Sequence, residues 1–253
     1  MKTPLILLIV FFSLGLLGIV AFRIEKTPPA ATYEPVAVVE LFTSQGCSSC
    51  PPADRLLTQT IQAAQAKNQR VFGLSFHVDY WDRLGWKDPF SSPQATERQR
   101  TYVRRMHLNS LYTPQAVVNG QQEFVGSSAA RMQNSLSDAL AQPATVRVEA
   151  EVAGGSGATV TLSYRLRGQI EGAVLQAALI SKKGDNEVPR GENAGTRLSA
   201  VNAVRAFQSV AKPGVSGNLT LTAPAGFDRA NGAVVLFVQA ADGSVRGASE
   251  VSL

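Results

Sequence analysis

Two prolines fix the geometry around the only two cysteines in this 253-residue chain. The sequence Cys47-Ser48-Ser49-Cys50-Pro51-Pro52 directly follows an apolar run, Val36-Ala37-Val38-Val39-Glu40-Leu41-Phe42. Proline lacks an N–H and fits only the first turn of a helix. A helix over about 51–67 therefore has to begin at the cysteines, near Ser48, which puts Cys47 at its N-terminus. The run before it is apolar enough for a buried strand over 36–43. A strand leading into Cys-x-x-Cys at a helix start is the sequence form of a dithiol/disulfide site. A chain that uses cysteine nowhere else does not use it to staple its fold.

Residues 1–26 read as a targeting element. Lys2 precedes an apolar stretch from Leu5 to Phe22, interrupted by Ser13, Gly15 and Gly18. That is long enough to span a bilayer and has no clean small-residue cleavage site after it. The expectation is export across an inner membrane, held by an uncleaved anchor in preference to a cleaved signal. Outside the cytoplasm a vicinal cysteine pair can be oxidised and cycled. Residues 27–35 form an extended, proline-rich tether. Charge argues against nucleic acid. Lys and Arg number 24 against 19 Asp and Glu, and Lys2, Arg23 and Lys26 already lie in the first segment.

The rest divides by pattern. After the cysteines come a buried strand over 71–79, an aromatic loop to Pro93 and a polar helix over 94–107. A strand over 115–118 then turns at Asn119-Gly120 into 122–125, and a last helix runs to about Ala141. Strand–helix–strand alternation implies a parallel central pair with an added hairpin. After Pro143 the pattern becomes period-two: 146–152, 159–166, 219–222 and 234–239 alternate, with Gly and Pro turns between them. The expected fold is an α/β domain over 36–143 followed by an all-β, sandwich-like domain of six or seven strands over 144–253.

The helix dipole and free N–H groups at the helix start favour thiolate at Cys47, which makes it the nucleophile and Cys50 the resolving thiol. A permanent structural disulfide, or two inert buried thiols, is the alternative. Zinc needs four ligands, and only His77 and His107 remain to join the cysteines. Cu(I) accepts two thiolates, so a copper metallochaperone using the same pair is a rival function. Parallel pairing of the first two strands brings His77, Asp79, Tyr80, Trp81 and Asp82 to the sheet edge that carries Cys47. They are candidate substrate or proton-relay groups; the opposing reading is that they cap the core. Glu40, within an apolar strand, is a candidate buried carboxylate able to take a proton from the resolving thiol. The arginines over 98–105 read as an exposed helix face.

Three features together resemble the thioredoxin superfamily: the first strand, Cys47-Ser48-Ser49-Cys50 at a helix start, and Thr113-Pro114 opening a later strand. The resemblance implies a thioredoxin-like first domain, with Cys47 as nucleophile, Cys50 as resolving cysteine and Pro114 as a cis-proline facing the disulfide. Glu40 sits one residue from the place where thioredoxins keep a buried Asp. Ser-Ser replaces Gly-Pro between the cysteines, and no Trp precedes Cys47, so the redox potential is open. The stretch from Val39 to Asp54, with His77-Val78-Asp79-Tyr80-Trp81, is similar to an exported bacterial family, domain of unknown function 1223. That resemblance spans nearly all of the chain beyond its first segment. It implies a thioredoxin-like domain plus a β-rich C-terminal part and supplies no substrate. The reading is an exported thiol–disulfide oxidoreductase-like protein with Cys47, Cys50, Pro114 and Glu40 as catalytic candidates. Thr113, Asp79, Trp81 and His77 are the substrate or supporting candidates. Its partners are exported proteins or small thiols and the inner membrane, with no cofactor and no resident metal. A redox-inert adaptor is the remaining alternative.

Overall fold

The computed structural model describes residues 32–253. The segment expected to be a signal or anchor, 1–26, and most of the expected tether lie outside the described residues. No helix among the described residues is long and apolar enough to cross a membrane.

The first half follows the order its sequence implies. β1 (Ala37–Thr43) leads to the cysteines and α1 (Pro51–Ala66). β2 (Val71–His77) pairs with β1 in parallel. A short 3-10 helix over Asp79–Leu84 and α2 (Pro93–Arg105) follow. β3 (Gln115–Val118) and β4 (Gln122–Val125) form the hairpin, and β3 pairs antiparallel with β1. Asn119 and Gly120 both have positive φ, 46° and 65°, as a two-residue hairpin turn of this hand requires. Gly is needed here for a second reason. A Cβ at position 120 would lie 2.0 Å from the Gly243 carbonyl oxygen. α3 (Ala129–Leu140) closes this half.

The second half is all β: β5 (Val146–Gly154), β6 (Thr159–Gly168), β7 (Val174–Glu187), β8 (Arg197–Ala211), β9 (Ser216–Thr222), β10 (Gly232–Gln239) and β11 (Val245–Ser252). Its assembly overturns the expected fold class. The chain is not an α/β thioredoxin-like domain followed by a sandwich of its own. Four of the later strands extend the first half's sheet, giving one mixed eight-stranded sheet in the order β11-β10-β7-β8-β2-β1-β3-β4. The junction is β8 against β2, in parallel, with Ser75 opposite Ala203. Only β5, β6 and β9 form a separate, three-stranded sheet. Period-two patterning reports which face of a strand is buried, not which strand lies at its edge. The pairing of β8 with β2 was therefore not readable from the pattern.

Burial follows from this layout. β10 is buried along all eight residues. Ala233, Val235 and Phe237 pack in a cluster with Phe42, Phe76 and Tyr102 from the first half. Val234, Leu236 and Val238 pack against Leu162 and Leu166 of β6 in the three-stranded sheet. Each large side chain so buried contributes about 1.5–3 kcal/mol. On β1, Val38 and Phe42 join the cluster that includes Tyr102 of α2, while Ala37, Val39 and Leu41 join α1 and α3. The helices thus cover opposite faces, and the carboxyl ends of β1 and β2 emerge together at one edge.

Candidate redox site at the sheet edge

At that edge Cys47 and Cys50 are joined in a disulfide, with their Cα atoms 5.5 Å apart. α1 begins at Pro51 with Cys50 as its N-cap, so Cys47 lies one turn ahead of the helix rather than at its first residue. The prolines at the first two helical positions carry no N–H. The Ala53 and Asp54 amides both donate to the Cys50 carbonyl oxygen, at 2.8 and 3.1 Å. The helix N-terminus therefore offers Cys47 less than its sequence position suggests.

Both cysteines are 0% exposed. Thr113 supports Cys47 on one side. Its hydroxyl donates to Cys47 Sγ at 3.3 Å and accepts from Trp81 Nε1 at 2.8 Å. Its carbonyl oxygen accepts from Ser49 Oγ at 3.4 Å. The Thr113–Pro114 peptide bond is cis. On the other side lies the turn joining β7 to β8. Asn193 Nδ2 donates to the carbonyl oxygens of both Gln45 and Cys47, each at 2.9 Å. Glu192 accepts from Ser48 N–H at 2.9 Å and from Ser48 Oγ–H at 2.7 Å. These two bonds hold the Glu192 carboxyl below its ordinary pKa, so it stays ionised.

The strand ends below carry a buried polar group. His77 Nδ1 lies 2.7 Å from Asp88 Oδ2, both side chains 1% exposed. The Gln45 amide also donates to Asp88, at 2.8 Å. Burial pushes His77 down, but the Asp88 charge and hydrogen bond outweigh it, and its pKa is raised. Burial pushes Asp88 up, and the His77 charge and hydrogen bond pull it below its ordinary value. Asp54, in the first turn of α1, is pushed up to about 6 by burial, against the opposing pull of the His77 charge. Thr43 Oγ1, Gln45 Nε2 and His77 Nε2 are buried with no hydrogen-bond partner among the described residues. Asp54, His77 and Asp88 thus form one electrostatically coupled group at the carboxyl ends of the strands.

The other predicted residues are placed as follows. Asp79 pairs with Thr96, whose hydroxyl accepts from the Asp79 amide at 3.1 Å and donates to its carboxylate. It therefore helps to fasten the loop to α2. Trp81 reaches the site through Thr113. Glu40 is buried at 1% exposure, but both its oxygens take Arg98 guanidinium N–H groups at 2.8 Å, and Tyr102 donates to it as well. Its carboxylate is thus committed to α2. Arg98, expected on an exposed face, is buried between the rings of Tyr102, Phe207 and Phe237. Asp54, Asp88, Glu192 and Asn193 were not anticipated. Asp54 had a signal, since the i,i+4 spacing from Cys50 puts it on the same helix face. Glu192 and Asn193 had none, lying more than 140 residues from the cysteines. Among the described residues no group of three or more His, Cys, Asp and Glu side chains is placed to hold a metal ion.

The family model described as "Protein of unknown function (DUF1223)" matches residues 38–239, from the first strand through β10. The chain belongs to this family. Among solved structures, the family member is similar to protein AGR_C_4864 from Agrobacterium tumefaciens, with 32% identity and a TM-score of 0.64. That match covers 86% of this chain and 94% of the other. HBP35 of Porphyromonas gingivalis shares the fold at 17% identity and a TM-score of 0.61, over 88% of this chain and 76% of its own. No curated protein matches the chain.

Proposed function

We propose that this DUF1223 protein is an exported thiol–disulfide oxidoreductase whose working group is the Cys47–Cys50 pair. The observation that carries the reading is the placement of the chain's only two cysteines. They close a disulfide at the shared carboxyl edge of β1 and β2, with the Thr113 hydroxyl on the Cys47 sulfur. In the reduced form, the Cys47 thiolate attacks one sulfur of a substrate disulfide. A Cys47–substrate mixed disulfide forms and the other substrate sulfur leaves as thiolate. The Cys50 thiol then loses its proton and attacks the Cys47 sulfur, releasing the second substrate thiolate and closing Cys47–Cys50. Two electrons pass from the protein to the substrate; the reverse sequence oxidises a substrate dithiol. Asp54, one helical turn beyond Cys50 and titrating near pH 6, is the acceptor for the Cys50 proton. The substrates are exported proteins or small thiols.

Trapping tests the reading. Cys50→Ser removes the resolving thiol, so attack by Cys47 stops at the mixed disulfide. The expected result is accumulation of Cys47-linked partners that dithiothreitol releases and that Cys47→Ser abolishes. Absence of trapped partners, together with tight Cu(I) binding that requires both sulfurs, would replace it with the metallochaperone reading.

A further inference from the structure

A disulfide that exchanges with partners has to be approached in line by a sulfur, to within about 3–3.5 Å of the sulfur attacked. Neither Cys47 nor Cys50 presents any surface for that approach. On one side Thr113 and Trp81 belong to the hydrogen-bonded frame of the first half. On the other side the tip between β7 and β8, residues 188–196, supplied by the second half of the chain, is hydrogen-bonded to the loop that carries Cys47. Building on the oxidoreductase reading, we infer that this tip is a gate over the redox pair and that Glu192 and Asn193 are its latch, deciding which reductants and substrates reach Cys47.

The side chains of the latch make four hydrogen bonds, all to the cysteine loop. Glu192 takes the Ser48 amide and hydroxyl, and Asn193 gives both its contacts to the Gln45 and Cys47 carbonyl oxygens. None of the four goes to the hydrophobic core, and Glu192 and Ser48 are both exposed. Water can replace the two exposed Glu192 bonds directly, while the two Asn193 bonds are part-buried and make the tighter half of the latch. The tip is also closed on itself. Val188 N–H donates to Thr196, Gly195 N–H donates to Val188, and Thr196 Oγ1 donates to Asn193. Gly191, at φ 91°, permits the reversal that aims Glu192 and Asn193 at the cysteines. Val188, 1% exposed, anchors the base. The tip therefore leaves as a preformed unit about residues 188 and 196. Moving it frees the Ser48 N–H and withdraws a carboxylate from the loop carrying the nucleophile.

The test is the rate at which the intact chain's disulfide is reduced by a phosphine and by dithiothreitol, followed by thiol counting. Glu192→Ala and Asn193→Ala should each speed reduction by about three- to tenfold, the effect of losing two bonds that hold a closed state, exposed for Glu192 and part-buried for Asn193. Glu192→Gln, which keeps an acceptor for Ser48, should fall between. In the wild-type protein the Ser48 amide should be protected from hydrogen exchange, and protection should drop in Glu192→Ala. Wild-type reduction rates in both alanine variants overturn the gate. Unprotected Ser48 exchange in the wild-type protein overturns it as well, whether or not a variant folds. These outcomes are separate from those of the oxidoreductase reading. Faster reduction without any trapped partner keeps the gate and sinks the oxidoreductase; trapped partners with unchanged reduction rates do the reverse.

Discussion

Replacing Asp54 by Asn should stabilise the protein at pH 8 and leave it unchanged near pH 4. Burial raises the Asp54 carboxyl from 3.8 to about 6 in the folded chain. A group that binds its proton more tightly when folded favours folding below its unfolded pKa. That advantage is lost as pH rises from about 3.8 to about 6, and above this range the fold carries the full cost of the charge. The gap, at 1.36 kcal/mol per pH unit, is worth about 3 kcal/mol. Asp54 keeps part of its surface in solvent, so that figure is a ceiling, and a gain of about 1–3 kcal/mol is expected for the variant. Asn keeps the shape and removes the charge. The Asp54 charge is one of the causes that raise the His77 pKa, so the variant also lowers the His77 titration, and the pH series reads the two coupled groups together. Urea unfolding of the oxidised forms at pH 4, 6 and 8 measures the difference directly. A melting-point gain of about 3–10 °C at pH 8 accompanies it in a chain of this size. The same substitution should remove any rise in substrate-exchange rate centred near pH 6. A stability difference that is the same at pH 4 and pH 8 would refute the reasoning. So would a variant less stable than the wild type at pH 8.

Two further outcomes test the packing. Arg98→Ala leaves the Glu40 carboxylate buried without its partner and should cost about 3–5 kcal/mol in urea unfolding, while Arg98→Met combined with Glu40→Gln should recover most of the loss. The separate unit expected over 36–143 is testable as a fragment of residues 33–143. That fragment strips Ile180, Val204, Val235 and Phe237 from the cluster around Phe42 and Phe76. It is expected to unfold without a cooperative transition by circular dichroism, and cooperative unfolding with a reducible disulfide would establish the boundary at 143.

Legibility in the sequence followed the range of the interactions involved. β1, α1 and β2 were readable because proline chemistry, apolar runs and turn residues act within a few positions. The Asn119-Gly120 hairpin was readable for the same reason. The long β7–β8 hairpin was not. Its outer stretch, 181–187 and 197–199, is largely exposed or half-buried and carries Lys182, Lys183, Asp185 and Glu187, which read as loop. Its pairing with β2 spans more than 120 residues, and period-two patterning does not name an edge partner. Arg98 shows the same limit at the level of one side chain. An arginine in a polar helix reads as solvated, and only the placement of Glu40 opposite it makes burial affordable.

The site divides in the same way. The cysteines, Thr113 and Trp81 were identifiable because the loop, the Thr-Pro step and the sheet edge each constrain position locally. What decides access to the sulfur comes from the other half of the chain. Without the β7–β8 tip, the cysteine loop would lose the acceptor for its Ser48 amide and the donor to its Gln45 and Cys47 carbonyl oxygens. With the tip in place, the Ser48 amide is committed to Glu192 and the Cys47 carbonyl oxygen to Asn193, in a loop whose Cys47 is fully buried. The shared sheet explains how this holds. β8 enters beside β2 at Ser75, on the strand that delivers His77 to the same edge, so the joined strands fix the base of the hairpin relative to the disulfide. Merging two strand sets into one sheet thereby ties the second half's position to the chemistry of the first. A loosened β2–β8 pairing should then loosen the latch as well. Ser75→Val, which removes the hydroxyl donating to the Val201 carbonyl oxygen at 2.7 Å, should accelerate disulfide reduction despite acting far from the sulfur. An unchanged rate in a variant of lowered stability would show that the gate is held by its latch alone.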